Sequence, residues 1–298
     1  MRRSPLPLLL LLAACTSAGP PHAAPTTAPP APTSPVPTSA SPAPAPRRVV
    51  LVVMENRAFD EIVGSPSMPF LNHRIRPRAI TLTDMHGDGH PSLPNYVWMM
   101  AGQNCGALTD ADWGRTCRSL LDQLTAAGIG WTTYAEAYPG SARACDLVDG
   151  AGLYARKHVP PLLFGATSTG PACTEHVRGF PARGFRGLAL APFTIVIPDL
   201  CHDMHDCVAS AGDAWLRTHW DALVADAGPR GTVILTWDES DGGDPPIPTF
   251  VGGEHVPGAG TDVGSRFDHS STLRAIEDAF GLPCLAGACN ARPLPMAG

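Results

Sequence analysis

Three short segments of the chain are apolar at almost every position and rich in β-branched residues. They are RRVVLVVM (residues 47–54), FTIVIP (193–198) and GTVILTW (231–237). A strand with one exposed face alternates apolar and polar residues, whereas a strand covered on both faces is apolar throughout. The pattern therefore predicts three buried strands of a parallel sheet.

Four other segments carry apolar residues at the spacing of a helix, and most of them run into a glycine, where helices often end. They are LPNYVWMMAG from residue 93, RSLLDQLTAAG from 118, GDAWLRTHWDALVADAG from 212 and HSSTLRAIEDAFGL from 269. Strands that alternate with helices are typical of α/β proteins. We therefore expect a three-layer α/β/α sandwich with a mostly parallel central sheet.

The N-terminus differs from the rest of the chain. Residues 1–14 contain two arginines, a short leucine run and small residues, which is the layout of a signal peptide. Leu12-Ala13-Ala14-Cys15 resembles a bacterial lipobox, which predicts that Cys15 is lipidated and anchors the protein in the membrane. The alternative is an ordinary secretory signal with a chance cysteine. Both interpretations predict export.

A spacer is expected over residues 15–46, which are almost entirely Pro, Ala, Thr and Ser, with eleven prolines between Pro20 and Pro46. Such a segment lacks the apolar surface that would offset the loss of chain entropy on folding. Residues 47–298 remain, which is enough chain for one large domain.

The eight cysteines after Cys15 also indicate export, because an even number is expected where disulfides form. For CHDMHDC (201–207), zinc binding is the alternative. The cysteines cluster along the sequence, which suggests four local bridges: 105–117, 145–173, 201–207 and 284–289.

The charge of the chain gives little support to nucleic-acid binding. Its formal net charge is −6, and no basic tract interleaved with aromatic residues occurs.

Polar residues follow each of the three predicted strands. The first ends at Glu55-Asn56, the second leads into Asp199 and then into residues 202–205, and the third ends at Asp238-Glu239. Ligands in open α/β sheets lie beyond the carboxyl ends of the strands, so these side chains should meet. Carboxylates that lie close together repel one another unless a cation binds between them. The alternative is that these residues are ordinary turn residues whose side chains are exposed to water. The pattern favours a divalent metal: Mg, Ca or Mn, or Zn where imidazole takes part.

A candidate nucleophile lies in HGDGHPSLPNYVWMM (86–100), where Ser92 is predicted to be the N-cap of an apolar helix. Serine is among the commonest N-caps, so a purely structural role is one interpretation. In the other, the helix N-terminus binds a phosphate group and a nearby metal activates the Ser92 hydroxyl as a nucleophile.

Five segments together carry a resemblance that each alone would not. They are MENRAFDEIVG (54–64), HPSLPNY (90–96), PDLCHDMHDC (198–207), TWDESDGG (236–243) and FDHSSTLRAIEDAFGL (267–282). In this order they resemble the bacterial phosphoesterase family of acid phosphatases and phospholipases C. That family is similar in fold to alkaline phosphatase and includes exported acid phosphatases that act on phosphoinositides.

The resemblance implies a site at the carboxyl edge of the sheet, with His205 or His269 as the general acid. The cluster of metal ligands and nucleophile would be Glu55, Asn56, Ser92, Asp238 and Glu239. Contacts to phosphate or to a second metal would come from His202, Asp203, His205, His269 and Arg57. GGEHVPGAG (252–260) is weakly similar to a histidine loop of the phospholipase C branch, which adds His255 as a candidate.

The function expected from this resemblance is that of an exported, metal-dependent phosphomonoesterase with Ser92 as nucleophile. Its substrates would be phosphorylated small molecules or phospholipid headgroups, including phosphoinositides. The phospholipase C branch has threonine at the nucleophile position and extra C-terminal domains, whereas this chain has Ser92 and ends at residue 298. A phosphodiesterase or phospholipase C of the same fold is the first alternative. A non-enzymatic surface lipoprotein that binds a metal is the second.

Overall fold

The computed structural model describes residues 47–140, 145 and 152–296, which belong to one compact unit. Eight strands within them form a single sheet. The strands are β1 (Val49–Met54), β2 (Ala79–Leu82), β3 (Trp131–Ala135), β4 (Val177–Gly179), β5 (Phe193–Ile197), β6 (Thr232–Trp237), β7 (Thr249–Gly252) and β8 (Asp262–Val263). The helices are α1 (Phe59–Ile62), α2 (Ser92–Ala101), α3 (Leu120–Ala126), α4 (Gly170–His176), α5 (Ala209–Ala227) and α6 (His269–Phe280).

The strand order across the sheet is β4-β3-β5-β1-β6-β7-β2-β8. The first five strands in this order are parallel, β7 is antiparallel to both β6 and β2, and β8 is parallel to β2. The three strands predicted from their apolar runs, β1, β5 and β6, are neighbours at the centre of the sheet and are buried at every position. Helices cover both faces of strands buried in this way, which confirms the expected α/β sandwich.

The predicted helices all form, with small shifts at their ends. Helices α2 and α6 each end at a glycine with positive φ, Gly102 at 64° and Gly281 at 65°. Helix α5 begins three residues earlier than its apolar pattern, at Ala209. Helices α2 and α6 pack against each other, and α5 packs against β1 and β6.

Five strands were not predicted, because none has a continuous apolar run. Strand β3, WTTYA, alternates buried and half-buried positions, and β8 has only two residues. Their place in the sheet depends on the neighbouring strands rather than on local sequence.

All four predicted disulfides are present: Cys105–Cys117, Cys145–Cys173, Cys201–Cys207 and Cys284–Cys289. The zinc alternative for residues 201–207 is therefore wrong, because both thiols of that segment are joined to each other. Four disulfides indicate an exported or extracellular protein. The predicted signal peptide, the spacer and Cys15 lie outside the described residues. Among the helices in the described part of the chain, none is long and apolar enough to span a bilayer.

Candidate active site

The ends of β1 and β6 bring the first two acidic residues together. Their parallel register pairs Met54 with Trp237, so Glu55 and Asp238 follow at the same level. The Asp238 backbone N–H donates to the Met54 carbonyl at 3.0 Å, and the Asn56 N–H donates to Asp238 Oδ1 at 3.3 Å. Asn56 has a φ of 49°, a left-handed conformation that asparagine adopts more readily than most residues. The third strand end joins them, because the Glu55 N–H donates to the Asp203 carbonyl at 2.9 Å.

Ser92 is buried against two of these carboxylates. Its Oγ lies 3.0 Å from Glu55 Oε2 and 3.2 Å from Glu239 Oε1, both within hydrogen-bonding distance. Ser92 is the first residue of α2 rather than its N-cap, since Pro91 holds the N-cap position without a side-chain cap. The predicted cap role is therefore wrong. The hydroxyl faces carboxylates instead of the backbone N–H groups of its helix.

Two further residues of α2 contact the same carboxylates. Asn95 and Tyr96, three and four residues after Ser92, lie on the same face of the helix. Asn95 Nδ2 donates to Glu239 Oε2 at 3.1 Å, and the Tyr96 hydroxyl donates to Glu55 Oε1. One helical face thus fixes the positions of both acids around the serine.

Burial raises the pKa values of the carboxyl groups in this cluster. Burial, followed by the charges of Asp238 and Asp203, raises the pKa of Glu55 well above its usual value. Burial and the charge of Glu239 raise the pKa of Asp238 to about 7, and burial likewise raises the pKa of Asp203 and of Glu239. Negative charge is therefore costly here unless a cation is close.

Buried oxygen atoms that lack hydrogen-bond partners also make this site suitable for a cation. Asn56 Oδ1, Asp203 Oδ2 and Asp238 Oδ2 are buried oxygens without a hydrogen-bond partner, although a ring nitrogen of His158 lies 3.3 Å from Asp203 Oδ2 outside hydrogen-bond geometry. A buried polar atom without a partner is rare in folded proteins and costs stability. Several such oxygens beside ionisable carboxylates form a donor set of the kind that hard divalent cations prefer.

A buried histidine that the sequence analysis did not identify lies between two of the acids. His158 Nε2 is 3.3 Å from Glu55 Oε2, and His158 Nδ1 is 3.3 Å from Asp203 Oδ2. Burial lowers its pKa well below the usual value. With Glu55 and His205, His158 forms a group that could hold a metal ion. It belongs to a 3-10 helix, Arg156–His158, so no strand end indicated it.

The predicted histidines have different surroundings. His269 is fully buried as the first residue of α6, where its Nε2 donates to the Asp238 carbonyl at 2.6 Å. Burial lowers its pKa. His205 is partly exposed, its Nδ1 lies 2.7 Å from Asp206 Oδ1, and its ring is 5.6 Å from that of His158.

Two other candidates, His202 and Arg57, have different partners. His202 belongs to a separate group with Glu136 and Asp199, where its Nδ1 is 2.9 Å from Glu136 Oε2. The Arg57 guanidinium donates to the carbonyls of residues 56, 204 and 207, so it fixes the loop of residues 201–207.

The structure does not bring His255 to this site. Strand β7 is antiparallel to β6. Gly253, just after β7, lies against Gly231 at the start of β6, so closely that a Cβ added at Gly253 would be 2.6 Å from the Gly231 carbonyl oxygen. The chain thus leaves β7 at the amino end of β6, at the edge opposite Asp238. The His255 side chain is 73% exposed there.

A cavity of about 170 Å³ opens on the Glu239 side of the cluster. His90 borders it, with Nδ1 2.7 Å from Glu239 Oε2 and with Nε2 donating to the Gly243 carbonyl at 2.6 Å. The other side chains that line it are mostly acidic or small, among them Asp88, Asp244 and Ser240. We call it the His90 cavity.

The fold is that of a known superfamily. The structure of a protein in the alkaline phosphatase superfamily from Vibrio parahaemolyticus superposes with a TM-score of 0.57 at 12% sequence identity. The match covers 85% of this chain and 71% of that one. The chain therefore has an alkaline-phosphatase-like fold.

Sequence comparison identifies the family. The model of the phosphoesterase family matches residues 67–283. A phosphatidylinositol-3-phosphatase of Mycobacterium tuberculosis is 35% identical over 252 residues, which are 83% of this chain and 81% of that protein. A probable acid phosphatase of Kluyveromyces lactis is 25% identical over 253 residues, which are 80% of this chain and 59% of that protein. The chain belongs to the phosphoesterase family and is a phosphoric ester hydrolase.

Proposed function

We propose that this protein is an exported, metal-dependent phosphomonoesterase that uses Ser92 as its nucleophile. The observation that carries the proposal is the buried Ser92 hydroxyl within hydrogen-bonding distance of both Glu55 and Glu239. A structural serine has no need of two carboxylates, because an ordinary hydroxyl has only one proton to donate. A nucleophilic serine, in contrast, needs a nearby group that accepts its proton.

The metal would be held by Glu55, Asn56, Asp238 and Glu239, together with the Ser92 oxygen. The unpartnered oxygens of Asn56 and Asp238 support this set. A divalent cation bound there supplies positive charge that lowers the pKa of the Ser92 hydroxyl and offsets the charge of the phosphate. The residues do not select one metal among Mg, Ca, Mn and Zn, since the set consists of oxygen donors but the imidazole of His158 lies beside Glu55.

The residues of the chain can account for both halves of the reaction. The Ser92 oxygen attacks phosphorus and its proton passes to a carboxylate, Glu55 or Glu239. His205, partly exposed and paired with Asp206, protonates the departing alcohol oxygen. His269 is less suited to that step, because its Nε2 proton is held by a backbone carbonyl and burial lowers its pKa. Water then hydrolyses the phosphoserine, which releases inorganic phosphate and regenerates Ser92.

The similar proteins support phosphate monoesters as substrates, with phosphoinositides among them, as the name of the Mycobacterium tuberculosis relative suggests for that protein. We further propose that residues 1–14 are a signal peptide, that Cys15 carries a lipid anchor, and that residues 15–46 are a spacer in front of the domain. The Pro-rich composition of the spacer and the four disulfides of the domain support this arrangement.

The proposal is tested with a panel of phosphate esters on protein stripped by a chelator and then resupplied with each of the four metals. We expect inorganic phosphate from monoesters, loss of activity on stripping and recovery with at least one metal. Release of a phosphorylated headgroup from phospholipids, with no phosphate released from monoesters, would instead identify a phospholipase C. Activity unchanged by complete removal of metal would refute metal dependence.

A further inference from the structure

A second cavity borders His205, one of the two histidines that lie near the carboxylates. It measures about 350 Å³ and is bordered by His205, Lys157, Asp110, Tyr154 and Leu200. Its edge at His205 is shared with the site described above, because the His205 ring is 5.6 Å from the buried His158 ring. We call it the Lys157 cavity. Its lining shares no residue with that of the His90 cavity.

Lys157 is the only lysine in the chain, against twenty arginines. Its ammonium is fixed by Asp110, whose Oδ2 lies 2.9 Å from Nζ. The other oxygen of Asp110 accepts the N–H of Leu93, the residue that follows Ser92, at 3.0 Å. Asp110 therefore ties the lysine to the start of the helix that carries the nucleophile. A lysine ammonium has three N–H donors, so one hydrogen bond to Asp110 leaves donors for another ligand.

Lys157 also carries its charge near the reaction centre. Burial works to lower its pKa, but the hydrogen bond and charge of Asp110 and the charges of Glu55 and Asp238 outweigh burial, so the pKa is raised. The side chain lines the cavity and is 19% exposed, so its ammonium is partly shielded from solvent. A fixed cation of this kind attracts an anionic group more strongly than a solvated one would.

The two cavities differ in the balance of charge on their linings. The His90 cavity is lined by three carboxylates, Asp88, Glu239 and Asp244, and by one histidine. In the Lys157 cavity, the single carboxylate is that of Asp110, which is already paired. An alcohol that carries its own negative charge is therefore repelled from the first cavity and accepted by the second. The general acid assigned above, His205, borders the second cavity, where the departing oxygen must be protonated.

We propose that the Lys157 cavity is the leaving-group subsite, and that Lys157 determines specificity by binding a negatively charged group on the alcohol part of the ester. This inference rests on the proposed function, since a leaving group exists only if the protein is a phosphomonoesterase. It assigns to Lys157 a role in substrate choice and none in bond breaking.

The test compares two pairs of soluble esters whose members differ in the charge of the alcohol part. The first pair is sn-glycerol 3-phosphate and 3-phosphoglycerate. The second is myo-inositol 3-phosphate and glycerophosphoinositol 3-phosphate, whose phosphodiester adds a more distant charge. We measure kcat/KM for the wild type and for Lys157→Gln, Lys157→Arg and Asp110→Asn. Arg74→Gln, which removes a charge from the surface ion pair with Asp221, is the matched control.

We expect the wild type to prefer the charged member of at least one pair. Lys157→Gln should lose about tenfold or more of kcat/KM on that member, mainly through KM, and less than about threefold on its neutral partner. Lys157→Arg should keep most of the preference. Asp110→Asn should increase it, because the lysine charge is then no longer neutralised. The control should match the wild type.

Three results would overturn the inference. One is the absence of any preference for charged members in the wild type. Another is an equal loss on charged and neutral esters in Lys157→Gln, which would make the lysine a balancing charge for the carboxylates. The third is a Lys157→Gln variant whose kcat/KM equals that of the wild type on both the charged and the neutral member. If the wild type hydrolyses none of the four esters although it retains metal and its fold, the proposed function itself fails.

Discussion

The buried carboxylates predict that protein treated with a chelator loses stability as the pH rises. Asp238 gives the clearest case, because it is fully buried and its pKa is raised to about 7 from an ordinary value of 3.8. Between these two values the folded state holds a proton that the unfolded state has lost. The free energy of unfolding must therefore fall with increasing pH, starting near the unfolded pKa and levelling off above the folded one.

The size of the effect follows from the shift. Each unit of pKa difference corresponds to about 1.4 kcal/mol, so the shift of Asp238 costs about 4 kcal/mol once the folded group is ionised. At pH 5 roughly 2 kcal/mol of this cost is already present, which leaves about 2–3 kcal/mol to appear between pH 5 and pH 8. The raised pKa values of Glu55, Asp203 and Glu239 lower the stability in the same direction. The figure of 2–3 kcal/mol is therefore the contribution of Asp238 alone.

The assay is urea unfolding followed by circular dichroism, in excess chelator, at several pH values across this range. Asp238→Asn removes the titrating group but keeps an oxygen that can accept the Asn56 N–H. The free energy of unfolding of this variant should therefore fall by about 2–3 kcal/mol less than that of the wild type between pH 5 and pH 8. Asp241→Asn makes the same chemical change on an exposed residue nearby and should retain the full dependence. Equal dependence on pH in the wild type and Asp238→Asn would refute the reasoning. Restored metal should flatten the profile of the wild type.

Three further predictions concern other parts of the chain. His158→Gln should lower kcat/KM by about 10–100-fold, because it removes an imidazole that lies between two carboxylates of the site. The exposed His73→Gln should have no effect, and steady-state kinetics on a soluble monoester tests both variants. Replacing the Cys201–Cys207 pair by serine should cost about 2 kcal/mol in urea unfolding and also reduce activity, since that loop carries Asp203 and His205 of the site. Replacing the Cys284–Cys289 pair should cost similar stability with little loss of activity, and similar activities of the two double variants would contradict this. A protein that begins at residue 47 should retain the kcat/KM of the full chain, because the preceding segment has too little apolar surface to join a core; a well-folded but inactive product would count against it.

The centre of the fold could be predicted from the sequence because its physical signal is local. Strands β1, β5 and β6 are continuous apolar runs, and parallel strands place their carboxyl ends at one edge. Glu55 and Asp238, which directly follow their strands, therefore meet without any knowledge of the loops. The disulfides were predictable for a similar reason, since each joins cysteines that are close along the chain.

The remainder depends on tertiary packing that leaves no such signal. His158 reaches the site from a short 3-10 helix, and His90 reaches it from a loop. Tyr96 looked like one more apolar position of α2, and only the fold shows its hydroxyl on Glu55. His255 was predicted from a loosely similar loop, but the antiparallel direction of β7 carries it to the other edge of the sheet.

The central claim is that Ser92 is the nucleophile, and the most direct measurement is to trap the phosphorylated enzyme. Metal-loaded protein is mixed with a monoester labelled in its phosphate, quenched in acid within a turnover and digested for peptide mass spectrometry. The account predicts a stoichiometric phosphate on Ser92 in the wild type and none in Ser92→Ala, which should fold, bind metal and lose turnover by several orders of magnitude. Turnover of Ser92→Ala near the wild-type rate, or a trapped phosphate on another residue, would contradict the account.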